Sequence, residues 1–172
     1  KLLTLNQLEF GNEVITMERF DLTELIRGVI NSSAILLNQN EITLDFTQQE
    51  PLYAWADEFK VEEVVTNYLS NAIHHAEGEK RIDISCVQKG DKVRVSVFNT
   101  GNPIPEEDVD NIWIKFYKVD IARTREYGGS GIGLSIVRAI MDSFHQKCGV
   151  INDEDGVEFW FELETNNGNF FS

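Results

Sequence analysis

Residues 81–98, RIDISCVQKGDKVRVSVF, alternate apolar and polar side chains with a period of two on both sides of Gly90–Asp91. Neighbouring runs with that period, joined by a glycine-containing turn, pair as a hairpin. KCGVIN and VEFWFELE repeat the arrangement across the turn DEDG. Strands that arrive in adjacent pairs argue against a doubly wound parallel sheet, whose strands are separated by crossover helices. The pattern predicts an α+β fold: a two-layer sandwich with a mixed, mostly antiparallel sheet and helices on one face.

The remaining segments fit that frame. VITMERF (14–20), EITLDF (41–46) and LYAWA (52–56) read as strands. Asp21 is placed to cap a helix through DLTELIRGVINSSAILL, with Glu24 three residues on as in a capping box. Asp57 opens a second helix, whose apolar positions Val61, Val64, Val65, Tyr68, Leu69, Ala72 and Ile73 recur with a helical period. A short helix is expected at 105–112, then a polar, aperiodic segment at 113–130. A helix from Gly131 to about Phe144 follows, with Ile132, Ile136, Val137, Ile140 and Met141 inward.

Acids outnumber bases 29 to 15, a net charge of −14. Such a field disfavours nucleic acid and anionic membrane surfaces as partners. No apolar run reaches the roughly 20 residues that span a bilayer, and the start KLLTLNQLEF lacks the h-region of a signal peptide. The chain begins with Lys, so a piece of a longer protein is expected, with any membrane anchor upstream. Cys86 and Cys148 show no metal-ligand spacing and read as reduced thiols in or near the core.

The stretch 127–137, YGGSGIGLSIV, places four glycines at the start of an apolar helix. It is not a P-loop, because no Lys follows the glycines. Nor is it a dinucleotide fingerprint, because Leu134 stands at the third glycine position and no strand precedes it. A hinge before a core helix would account for it equally well. Yet free N–H groups and the positive end of the helix dipole favour an anion at such a place.

Two other stretches carry polar groups beside apolar ones. In NYLSNAIHHA (67–76), Asn67 and Asn71 stand one turn apart, and with His74 they fall within roughly 60° of helix surface. Their neutral amide oxygens suit Mg²⁺ when phosphates supply the charge; a solvated polar face is the plainer reading. FNTGNPIP (98–105) ends a strand with Asn99 and Gly101, positions able to meet a flat polar ligand or simply to form a turn.

In order, NYLSNAIHHA, FNTGNPIP, IWIKFYK and GGSGIGLSIV resemble the N, G1, F and G2 boxes of sensor histidine kinases. The resemblance covers about 13–165 and implies the catalytic ATP-binding domain of the gyrase, chaperone, histidine-kinase and MutL (GHKL) superfamily. That domain has the two-layer Bergerat ATP-binding fold with a mobile lid over the nucleotide. It implies ATP and Mg²⁺ as cofactors, with Asn71 as metal ligand and Asn67 supporting metal and phosphates. Asn99 takes the place of the usual Asp that accepts a hydrogen bond from the adenine amine, and Gly101 admits the base. Ile104, Tyr117, Ser130, Ile132 and Leu134 join the nucleotide-binding set, while Gly129, Gly131 and Gly133 surround the phosphates. Lys118 and Arg123, in a lid at 113–130, are the implied phosphate contacts. His74 stands where many members have Lys, His75 where many have Tyr, and Pro103 replaces a glycine.

ATP hydrolases of the superfamily carry a general-base Glu one turn before the metal-binding Asn. That position is Asn67 here, which favours phosphoryl transfer to a protein. None of His74, His75 and His145 has the context of a phosphoacceptor. The resemblance implies a domain division of 1–12 as the end of a dimerisation helix, 13–165 as the catalytic domain and 166–172 as a tail. The acceptor histidine would lie on a separate dimerisation domain, and a cognate response regulator would take the phosphoryl group. The full-length protein would be a membrane-anchored homodimer with this domain in the cytoplasm. The alternative is a catalytically decayed interaction module of the same fold.

Overall fold

The computed structural model describes residues 14–114 and 133–166. The expected dimerisation-helix end at 1–12, most of the lid (115–130) and all but the first residue of the tail lie outside them. The elements are β1 (Glu18–Asp21), α1 (Leu22–Ser32), α2 (Ala34–Gln39), β2 (Thr43–Asp45), β3 (Tyr53–Ala56), α3 (Glu58–His75), β4 (Arg81–Lys89), β5 (Lys92–Thr100), α4 (Gly133–Ser143), β6 (Cys148–Asn152) and β7 (Gly156–Glu164). A single 3₁₀ turn occupies Glu106–Asp108.

Among the described residues, seven strands form one sheet in the order β1-β3-β7-β5-β4-β2, with β6 paired to β7 beside β3. Both expected hairpins are present: β4 pairs with β5 from Ile82↔Asn99 to Lys89↔Lys92, and β6 with β7 from Cys148↔Phe161 to Asn152↔Val157. Every pairing is antiparallel except β2 with β4. The mixed, mostly antiparallel sheet is therefore as expected.

Period two sorts each strand's side chains. Val93, Val95 and Val97 of β5 and Val157, Phe159, Phe161 and Leu163 of β7 are buried. They meet Ile26 of α1, Val61, Val65, Tyr68 and Leu69 of α3, and Ile136, Val137, Ile140 and Met141 of α4. Burial of these apolar surfaces is the dominant stabilising term. The alternate side chains form a half-exposed ladder on the opposite face. Arg94 lies 3.7 Å over the Trp160 ring while its Nη2 meets Glu162 at 2.8 Å. Arg19 lies 3.9 Å over Tyr53.

Several local expectations change. The first strand covers 18–21 rather than 14–20. The expected single helix after Asp21 is two, α1 and α2, broken at Ser33 (φ −98°, ψ 3°). The run Asn31-Ser32-Ser33 offers side chains that compete with helical hydrogen bonds. Asp21 does cap α1, accepting from Glu24 N–H at 3.1 Å, but the Glu24 carboxylate goes to Arg27 at 2.7 Å. Only half of the capping box forms. The short helix expected at 105–112 shrinks to the 3₁₀ turn followed by turns, and the helix expected from Gly131 is described from Gly133.

Candidate functional site

The site is built on α3. Asp57 starts that helix by accepting from Phe59 and Lys60 N–H at 3.1 and 3.2 Å, and its second oxygen takes Thr16 N–H at 2.9 Å. Tyr68, fully buried, fixes the rotation of α3 on the sheet. Its hydroxyl donates to Trp160 C=O at 2.9 Å, and its ring lies 5.4 Å from Phe159 and 6.0 Å from Phe161. Burial pushes the Tyr68 phenol well above its ordinary pKa, so it stays a neutral donor.

With α3 so held, Asn67 faces the first turn of α4. Its Nδ2 donates to Glu63 C=O at 2.8 Å, and its Oδ1 would lie 3.0 Å from a Cβ placed on Gly133. The asparagine strip and the described end of the glycine stretch therefore meet. One turn on, Asn71 is only 8% exposed, and its Nδ2 is buried with no hydrogen-bond partner among the described residues. A buried donor left unpaired costs about 1–3 kcal/mol, which an acceptor atom of a bound ligand would offset.

The two histidines separate. His74 is exposed, whereas His75 is buried, and the rings meet edge to face at 5.3 Å. His75 C=O would lie 2.8 Å from a Cβ on Gly101, whose φ of +146° also demands glycine. Backbone packing therefore explains Gly101 without a ligand.

Asn99, 2% exposed, lies on the helix-covered face at the end of β5. Its Nδ2 donates to Thr100 C=O at 3.1 Å, which leaves Oδ1 as its acceptor. Ile104 is buried at 1% exposure, and both of its backbone groups bond to the Asn152 carboxamide. Leu134 is half-buried against the core. Sequence reasoning passes over Asn152, which reads only as the last residue of the strand KCGVIN. Tyr117, Lys118, Arg123, Gly129, Ser130, Gly131 and Ile132 lie outside the described residues.

The structure thus brings Asn67 and Gly133 together at the α3–α4 contact, with Asn71 one turn further along α3. Asn99, Gly101 and His75 C=O gather at the end of α3, next to the loop that carries Ile104. The two asparagines of α3 are neutral oxygen donors. They fit a hard cation whose charge is balanced by phosphate oxygens, and contribute no charge of their own.

Comparison with known proteins follows the same line. A family model described as histidine kinase-, DNA gyrase B- and HSP90-like ATPase matches residues 56–167. Sensor protein kinase WalK of Staphylococcus epidermidis is 31% identical over 144 residues, covering 83% of this chain and 23% of that protein. The chain thus spans about a quarter of that relative's length. Among solved structures, the catalytic domain of histidine kinase ThkA superposes with a TM-score of 0.78 at 35% identity, covering 88% of this chain and 97% of that one. ThkA has also been solved in complex with the response regulator protein TrrA; that kinase matches with a TM-score of 0.76 at 32% identity, covering 96% of this chain and 47% of that one.

Proposed function

This chain belongs to the histidine kinase-, DNA gyrase B- and HSP90-like ATPase family, as a domain of the sensor histidine kinase type, and from that premise we propose that it binds ATP with Mg²⁺ and phosphorylates a histidine. The observation that carries the reading is the junction of α3 with α4. Asn67 faces the glycine at which α4 is described to begin, one turn from a buried Asn71 amide with no hydrogen-bond partner among the described residues.

On this reading 13–165 is the catalytic domain. Asn71 holds the metal ion and Asn67 supports the ion and the phosphates. Gly129, Ser130, Gly131, Ile132, Gly133 and Leu134 would line the phosphate side, since backbone N–H groups at the start of a helix suit an anion. Lys118 and Arg123 neutralise phosphate charge, with Tyr117 beside them. Asn99 Oδ1 accepts from the adenine amine, while Gly101, Ile104, His74 and His75 frame the base. Bound Mg²⁺ would balance charge on the phosphate oxygens.

In the reaction, the P–O bond between the γ-phosphorus and ADP breaks and a P–N bond to an imidazole nitrogen forms. The imidazole loses its proton and ADP leaves. Asn67 cannot act as a general base for water, which supports transfer over hydrolysis. The acceptor histidine belongs to a separate dimerisation domain of a longer, homodimeric protein, and a response regulator receives the phosphoryl group. Among the described residues no helix is long and apolar enough to cross a membrane; the reading puts a membrane anchor elsewhere in the longer protein.

Calorimetry with ATP and ADP, with and without Mg²⁺, tests this. Mg²⁺-dependent binding that is lost in Asn71→Ala is expected. A folded wild type that binds no ATP at millimolar concentration would overturn the reading. A longer chain carrying the acceptor histidine should then take label from the γ-position of ATP.

A further inference from the structure

We propose that Asn152 is a positioning residue for the nucleotide, acting through the loop after β5; this rests on the reading of Asn99–Ile104 as the base side of an ATP site. The Asn152 carboxamide engages both backbone groups of one residue. Its Oδ1 accepts from Ile104 N–H at 2.9 Å and its Nδ2 donates to Ile104 C=O at 2.8 Å. The two residues are 48 apart in sequence.

The same turn holds the loop at two more points. Gly101 N–H donates to Asp155 C=O at 3.0 Å. Gly156 lies so close to Asn99 that a Cβ there would sit 2.0 Å from Asn99 C=O. The β6–β7 hairpin therefore grips both ends of 99–104.

The loop needs this grip for a physical reason. Past Thr100 it leaves the ladder of β5, Gly101 sits at φ +146° and Pro103 has no N–H to donate. Ile104 is buried, so its N–H and C=O must find partners. One side chain supplies both. A loop fixed before the ligand arrives spends less ordering entropy on binding.

The consequence is a defect with a distinct signature. Asn152→Ala should weaken ATP and ADP by the same factor, about fivefold to tenfold, the scale of one or two net hydrogen bonds. The factor should be equal with and without Mg²⁺, because the loop meets the base end. Asn71→Ala should instead lose affinity only where Mg²⁺ is present. Asn152→Asp keeps the acceptor for Ile104 N–H but sets a carboxylate against Ile104 C=O, so it should also bind more weakly.

Calorimetry on wild type and the three variants, with hydrogen exchange at the Ile104 amide, decides the matter. Faster exchange at Ile104 with the Mg²⁺-independent loss supports the role. A folded Asn152→Ala that binds both nucleotides as wild type does, even with a lowered melting temperature, overturns it and leaves the ATP reading intact. If Asn152→Ala does not fold, wild-type affinity in Asn152→Asp overturns it. A wild type that binds no ATP removes the ATP reading and this role with it.

Discussion

The side-chain oxygen of Asn67 sits so close to Gly133 that a Cβ on that glycine would lie 3.0 Å from it. The contact joins the middle of α3 to the start of α4. With a Cβ in place that contact would be tighter than ordinary van der Waals contact, and Asn67 cannot simply swing away, because its Nδ2 is bound to Glu63 C=O.

Gly133→Ala should therefore separate stability from binding. Alanine favours the helix by about 1 kcal/mol over glycine, which offsets the crowding. The melting temperature should stay within a few degrees of wild type, while the displaced Asn67 amide weakens Mg²⁺-dependent ATP binding. Thermal melts without nucleotide, set beside calorimetry with it, check both halves. Unchanged affinity would show that the contact only packs the helices.

Asn71 leads to a related expectation. Its buried Nδ2 has no described partner, so the amide is a cost to the ligand-free fold rather than a support. Asn71→Ala should leave the ligand-free melting temperature the same or higher, although it removes a buried side chain. A fall of more than about 1 kcal/mol, measured by denaturant titration, would mean that Asn71 stabilises the fold and is not held for a ligand.

The open face of the sheet carries a further expectation. Trp160 lies across Gly149, where a Cβ would meet the indole at 2.7 Å, and under the Arg94 guanidinium at 3.7 Å. Arg94 also pairs with Glu162 at 2.8 Å. Lysine keeps the charge but not the flat stack, so Arg94→Lys should cost about 0.5–1 kcal/mol. Gly149→Ala should cost more, since the ring must move. Chemical denaturation of both variants measures the difference, and equal losses would place the energy in the ion pair rather than the stack.

Much of this was legible in the sequence, for identifiable reasons. Period two in RIDISCVQ and KVRVSVF is imposed by one buried face, so the hairpin and its register followed directly. The α3 stripe was legible because Tyr68, Leu69 and Ala72 are all buried. The break at Ser33 was not, because α1 and α2 share an apolar pattern that carries across it. The sequence pattern set His74 beside Asn67 and Asn71 but did not show that the fold exposes it and buries His75. Gly101 drew attention as a ligand contact, but its φ and its approach to His75 C=O are fixed by backbone packing. Asn152 escaped notice because its two bonds reach 48 residues back, beyond any local pattern.

The cysteines give the pH expectation. Burial raises the Cys86 thiol from its ordinary 9.0 to about 12, and it raises the Cys148 thiol as well, against the lowering effect of Arg138. Both are free thiols. A folded-state pKa above the unfolded one means that the native chain keeps a proton the unfolded chain has lost. Stability from Cys86 is therefore fully present below pH 9 and falls as pH rises from 9 towards 12. At pH 8 both thiols should react with a disulfide reagent far more slowly in the native chain than in the unfolded one, since the thiolate is the nucleophile. Replacing Cys86 by Val keeps the volume and removes the titrating group. The variant should lose less stability than wild type between pH 9 and 11, as denaturant titration at each pH would report. An equal loss would assign the alkaline dependence to other groups, Tyr68 first among them, because burial raises its phenol too.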